Sequence, residues 1–199
     1  MSRTLEFKLA DKNDDKALRA RMAADSLPGN ISVSFRREPS FFYASSVQGE
    51  TCEVIKTVDR ESGRLVGLGS RLTRKVYIDG EIQRIGYLAD LRAHSDYRGG
   101  TGLIRGYRLL QKLHQNDPLP FYYSMILEEN LNANTLLSSA RCGLPVYKDI
   151  GRFVTPAIYL DVPRRRLKVA NIEFRRAHRN DLADVVKFLQ THSRTTQLT

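Results

Sequence analysis

Three glycines fall within four residues, at Gly99, Gly100 and Gly102, between an apolar run ending near Leu91 and a helical pattern that starts at Leu103. Glycine accepts positive φ and lets the backbone come close to a ligand, so such a turn can bring several N–H groups to one oxyanion. A helix opening there adds the positive end of its dipole, which makes the junction a candidate phosphate site. Arg98, at the entrance of the turn, can add a charge-assisted contact. A plain strand-to-helix turn uses the same residues, so the glycines alone leave both readings open.

The flanks narrow the choice. Asp90-Leu91-Arg92-Ala93-His94-Ser95-Asp96-Tyr97-Arg98-Gly99-Gly100 resembles the end of the fourth strand and the pyrophosphate loop of the GNAT superfamily of acyl-CoA N-acyltransferases. In that family an Arg or Gln opens a loop of the form R-x-x-G-x-G/A whose amides wrap the pyrophosphate of coenzyme A. Counted from Arg98, the family's glycine positions hold Thr101 and Leu103, so the loop is shifted or reshaped here. The resemblance implies coenzyme A contacts at Leu91, Arg92, Ala93, Arg98, Gly99, Gly100, Thr101, Gly102 and Leu103. Backbone groups near Leu91 and Ala93 would pair with the pantetheine amides as another strand would. It also makes Asp90 the candidate base, acting directly or through water; a structural aspartate at a strand bulge is the alternative.

A second element, Asn130-Leu131-Asn132-Ala133-Asn134-Thr135-Leu136-Leu137, resembles the family's N-x-x-A-x-x-L-Y at the end of the fifth strand. Asn130, Ala133 and Leu136 match in register, which implies an Asn130 contact on the pantetheine arm. The family's Tyr, which often protonates the leaving thiolate, is replaced by Leu137. Leucine cannot donate a proton, and Tyr147 is the nearest phenol able to take that role.

The elements that must position these residues follow from periodicity. Leu5 to Leu9 alternates apolar and polar as a half-buried strand does, and Asp11 to Ala24 carries a helical pattern. Leu27 to Asn30 breaks it, and Pro39 starts a short helix through Val47, an acceptor-site wall if the resemblance holds, or an aromatic satellite core. Cys52 to Val58 and Leu65 to Leu72 flank a short loop at residues 59–63, and Asp79-Gly80 signals a type I′ turn between Lys75–Ile78 and Glu81–Leu91. Leu103 to His114 reads as a helix, Phe121 to Leu127 as a strand, residues 129–137 as a capped helix start, and Phe153 to Leu160 as a closing strand. The expected class is α+β: a mixed, mostly antiparallel sheet flanked by helices, with fourth and fifth strands splayed over the cofactor.

The chain has 199 residues, 41% of them apolar, enough for one full domain and a remnant. No apolar stretch approaches the roughly 18 residues that cross a bilayer, so a soluble, cytoplasmic protein without a membrane partner is expected. Cys52 and Cys142 have no metal spacing, and neither a metal nor a structural disulfide is expected. The net charge of +10 fits nucleic acid, an acidic surface or an anionic cofactor. The compact basic run Arg164-Arg165-Arg166 with Lys168 follows Pro163 and lacks the interleaved aromatics of a single-strand-binding surface, so it reads as a linker. Arg105, Arg108 and Lys112 share one side of the helix after the glycines and suit phosphates or plain solvent.

Leu5 to Asp14 aligns without gaps with Ile172 to Asp181, an offset of 167 residues (5 against 172), with five of ten identical. The helices that follow agree in type, so a strand–helix unit is repeated at domain-sized period. The expected division is an acyl-CoA-binding domain over 1–163, a basic linker over 164–171, and the opening of a second such domain over 172–199. Ile172, Phe174, Val185, Val186, Phe188 and Leu189 favour docking on the first domain or, by exchange, on a second copy as a homodimer, with the polar tail 191–199 taking no part. As a function, the resemblance implies transfer of an acetyl group from acetyl-CoA, a cosubstrate, to a primary amine on a small molecule or peptide. The alternatives are a coenzyme A-binding domain without turnover and, on charge alone, a nucleic-acid-binding module.

Overall fold

The computed structural model describes residues 4–25, 34–99, 101–140, 143–156, 161, 171–196 and 198. The sequence calls at 27–30, Gly100, Cys142, 157–160 and most of the basic linker lie outside the described residues. Five strands form one sheet in chain order: β1 (Leu5–Leu9), β2 (Thr51–Asp59), β3 (Leu65–Ile78), β4 (Glu81–Ala93) and β5 (Tyr122–Tyr123). The first four pair antiparallel and β5 pairs parallel to β4, so the expected α+β class and mixed sheet are present. Asp79 and Gly80 both take positive φ, 51° and 82°, which is the type I′ geometry expected of that dipeptide.

Helices α1 (Asp15–Ala24) and α2 (Phe41–Ser46) cover one face of the sheet. Leu18 and Met22, one turn apart on α1, are fully buried with Phe41, Val54 and Leu68 in the main apolar cluster. The helix begins at Asp15 rather than Asp11, because Asp11 instead caps a tight turn over Lys12–Asp14. Its carboxylate accepts the Asn13 N–H at 2.7 Å while the Asp14 carboxylate accepts the Asp11 N–H at 2.8 Å. Helix α3 (Gly102–Asn116) packs against β1, with Arg105 donating to the Leu5 carbonyl at 2.7 Å over the Phe7 ring. That arginine is therefore spent on the sheet edge. The short α4 (Leu131–Leu137) follows β5.

Two expected strands are curtailed. The Phe121–Leu127 run keeps only Tyr122–Tyr123 in the sheet, because β4 and the chain after Tyr123 separate and leave no ladder to extend. Residues 153–156 belong to no regular element. In the repeat, the turn Arg179–Asp181 and helix α5 (Leu182–Ser193) recur at the same offset of 167 residues (182 against 15), down to the Asp181 carboxylate accepting the His178 N–H at 2.7 Å. The strand does not recur: residues 172–178 lack a partner strand among the described residues, and an unpaired ladder leaves its backbone to water. Ile172, Phe174, Val185, Val186, Phe188 and Leu189 are all exposed, so the expected docking onto the first domain is not seen. The contact comes instead from the tail, whose Leu198 N–H donates to the Tyr77 carbonyl at 3.0 Å.

The two-residue β5 is held from behind by Arg71 of β3, which is 1% exposed. Its guanidinium donates to the Tyr122 hydroxyl at 3.0 Å and to the Asp117 carbonyl at 2.6 Å, and pairs with Glu53. Arg84 grips both oxygens of the Asp117 carboxylate, at 2.7 and 2.8 Å. The Arg84 hydrogen bonds, with help from Arg71, lower the Asp117 pKa from 3.8 to about 2. A carboxylate depressed on folding stabilises the native state above its unfolded pKa and loses that contribution as pH falls through the folded one. Acid titration followed by circular dichroism should therefore show wild type losing stability between about pH 4 and pH 2, and Asp117→Asn should flatten that part of the curve. An unchanged slope in the variant would remove Asp117 from the account.

Candidate active site

The site begins where β4 and β5 part. Gly86 and Tyr87 pair with Tyr122 and Tyr123, and the Gly86 N–H donates to the Phe121 carbonyl at 3.0 Å. A Cβ on Gly86 would stand 2.0 Å from the Tyr122 ring, so only glycine lets β5 close onto β4 at this point. The Tyr87 and Tyr123 rings stack at 4.7 Å across the junction, and Arg74 donates to the Tyr123 hydroxyl at 2.8 Å. Burial, with Tyr123 and Asp90 nearby, pushes the Tyr87 phenol up. Past Tyr87, β4 runs on to Ala93 paired, among the described residues, with β3 alone.

That free edge is reshaped by a bulge. Ser70 pairs with Ala89 and Leu68 with Arg92, so Asp90 and Leu91 together face Gly69. Asp90 takes φ 56°, a left-handed conformation that Asp tolerates better than most side chains. Its carboxylate, 7% exposed, accepts from Arg37 Nη2 at 2.7 and 3.0 Å and from the Ser70 hydroxyl at 3.0 Å. Arg37 also donates to Gln48 at 2.9 Å, which ties the chain leaving α2 to the bulge. Beyond it the His94 N–H donates to Val66 of β3 at 2.8 Å. The alternation of an antiparallel ladder then turns the Leu91 and Ala93 amides to the open side. The Leu91 and Ala93 carbonyls are held by arginines, Arg92 Nη1 at 2.9 Å and Arg98 Nε at 3.0 Å, so this edge offers N–H donors. Burial lowers the Arg92 pKa.

After β4 a turn at Ser95–Tyr97 is pinned to β2 by the Tyr97 hydroxyl, which donates to Asp59 at 2.6 Å. Gly99 follows with φ 83° and open space where a Cβ would stand, and Thr101 occupies the N-cap position of α3 without a side-chain capping bond, ahead of the first helical residues Gly102 and Leu103. The fold therefore brings Leu91, Ala93, Gly99, Thr101, Gly102 and Leu103 to one strand–turn–helix junction. Arg98 stands beside them, folded back onto Ala93; Gly100 lies outside the described residues.

The two remaining sequence candidates are placed by other elements. Asn130 caps α4, its Oδ1 accepting the Ala133 N–H at 3.3 Å, and Leu137 is buried. The Tyr147 hydroxyl lies 3.0 Å from that of Tyr107 on α3 and 3.3 Å from that of Ser124, the residue after β5. Asp90 and Tyr147 thus belong to different elements, one to the β4 bulge and one to the loop over α3. Arg37, Tyr107, Ser124 and the Tyr87–Tyr123 stack carry no local sequence signal, because their partners are distant in the chain. Among the described residues no group of His, Cys, Asp and Glu could hold a metal ion, and no helix is long and apolar enough to cross a membrane.

No protein-family model matches the chain, and no curated protein matches it. Solved structures do. The aminoglycoside N-acetyltransferase AAC(6')-Iy bound to a bisubstrate analogue of coenzyme A is 11% identical, with a TM-score of 0.57 over 78% of this chain and 99% of that one. Glucosamine-6-phosphate N-acetyltransferase from Arabidopsis thaliana is 13% identical, with a TM-score of 0.53 over 79% and 99%. Ribosomal-protein-alanine N-acetyltransferase from Brucella melitensis biovar Abortus 2308 is 16% identical, with a TM-score of 0.50 over 75% and 99%. The chain has the fold of these enzymes, the GNAT fold.

Proposed function

We propose that the chain is an N-acetyltransferase that moves an acetyl group from acetyl-CoA to a primary amine. The observation that carries this reading is the fork: a bulged β4 edge with outward amides, leading through a glycine turn into the N-terminus of α3. Its residues fit the cosubstrate, since the open edge can take an amide-bearing arm as a further strand and the turn can take an oxyanion. Acetyl-CoA supplies the activated acyl carbonyl. A main-chain N–H of the β4 edge polarises that carbonyl, and Gly99, Thr101, Gly102 and Leu103 hold the phosphates, with Gly100 as an expected partner. Asp90, whose oxygens are committed to Arg37 and Ser70, holds the bulge open, and the proton of the attacking amine leaves through water. The acceptor class remains a small-molecule or peptide amine, entering from the face where Gln48 and Arg37 join α2 to β4.

Tyr147 is the proton donor to the departing thiolate in this reading. Tyr147→Phe removes only the hydroxyl and should lower thiol release from acetyl-CoA about a hundredfold, across a panel of polyamines, amino sugars and peptides, with acetyl-CoA affinity unchanged. Unchanged turnover would end that assignment. A second reading, acetyl-CoA binding without turnover, is favoured by buried Leu137 at the family's Tyr position. It predicts saturable binding with no thiol release from any amine of the panel.

A further inference from the structure

Two hydroxyls besides its own converge on the proposed proton donor. The loop carrying Tyr147 lies along α3: a Cβ on Gly143, which has φ 87°, would stand 2.8 Å from the Ile104 side chain, and one helical turn on Tyr107 meets Tyr147 at 3.0 Å. Ser124, first residue past the β5 pairing, completes the cluster at 3.3 Å, at the mouth of the fork. We propose that Tyr107 is a positioning residue for the transfer, holding the Tyr147 hydroxyl at the fork and donating a hydrogen bond to its oxygen when Tyr147 gives up its proton.

The proposal rests on Tyr147 as donor. In the step it serves, the amine nitrogen bonds the acyl carbon and the carbon–sulfur bond breaks. The thiolate then takes the Tyr147 proton, so that an O–H bond is lost and an S–H bond formed. The negative charge stays on the Tyr147 oxygen, where the Tyr107 and Ser124 hydroxyls donate to it. The surplus amine proton departs to water, and Tyr147 recovers one from water. Burial and the neighbouring phenol push the Tyr107 pKa far up, which keeps it protonated and a donor throughout. The partners of the Tyr147 hydroxyl come from α3 and from the segment after β5, and both are neutral donors, so removing either weakens the phenolate.

The titration needs no acceptor, and turnover is read on the amine panel. In the full chain labelled with ¹³Cζ-tyrosine, the Tyr147 signal is assigned by its loss in Tyr147→Phe and followed through a pH titration. Tyr107→Phe should make Tyr147 about tenfold less acidic, moving its midpoint up by about one pH unit. Ser124→Ala should move it the same way by less. The alkaline limb of the turnover profile should rise with the midpoint while acetyl-CoA affinity holds. A midpoint unmoved or lowered in folded Tyr107→Phe overturns the proposal. Full turnover in Tyr147→Phe with the midpoint still shifted overturns the proposal through the donor assignment, leaving the hydroxyl pair intact.

Discussion

Replacing Arg37 by alanine should cost about 3 kcal/mol of stability, a fall in melting temperature of roughly 10 °C. Both partners of the Arg37–Asp90 pair are 7% exposed. Removing the guanidinium leaves a buried carboxylate with one hydroxyl donor, Ser70, on a backbone held at φ 56°. An uncompensated buried charge is far more costly than the loss of an exposed pair. Neutralising both, as Arg37→Met with Asp90→Asn, should cost less than Arg37→Ala alone, because Asn tolerates the same backbone and retains an acceptor for Ser70. Calorimetric melting of the two variants beside wild type checks this. Should Arg37→Ala melt with wild type, the bulge is held by something else. A folded Asp90→Asn of full stability but lost turnover would return Asp90 to the role of base.

Gly86→Val should lose about 3 kcal/mol and most acetyl-CoA binding, because its first side-chain carbon already overlaps the Tyr122 ring at 2.0 Å. Relief requires moving Tyr122, whose hydroxyl receives Arg71 and lies 3.1 Å from His114 Nδ1. The junction where the strands part would then lose its Gly86–Tyr122 pairing. Tyr122→Leu in the same chain should recover part of the stability by removing the obstructing ring while giving up the Arg71 bond. Melting curves of the single and double variants decide it, and a Gly86→Val protein as stable as wild type contradicts the close approach.

Periodicity carried the first four strands and the helix after the glycines because each has many residues to repeat its pattern. Leu5–Leu9 forms β1 as expected, and Asp79-Gly80 makes its turn through two positive φ values. It failed at Phe121–Leu127, where an apolar run of strand length meets a partner for two residues only, which is a property of the neighbour. It failed likewise at 172–178, where a strand-like sequence lacks a strand to pair with. The glycine turn was legible because glycine's freedom is local. Arg37 was not, since its partner Asp90 lies 53 residues away. Neither was the pairing of Tyr107 with Tyr147, which depends on how the loop folds back over α3.

Isothermal titration of the full chain with acetyl-CoA tests the central claim most directly, using the folded Gly102→Val variant as comparison. The fork should give saturable one-to-one binding in wild type. In Gly102→Val, whose first side-chain carbon would stand 3.7 Å from the Leu5 side chain at the start of α3, affinity should fall at least tenfold, about 1.4 kcal/mol. No saturable heat in wild type, or equal affinity in the folded variant, would contradict it.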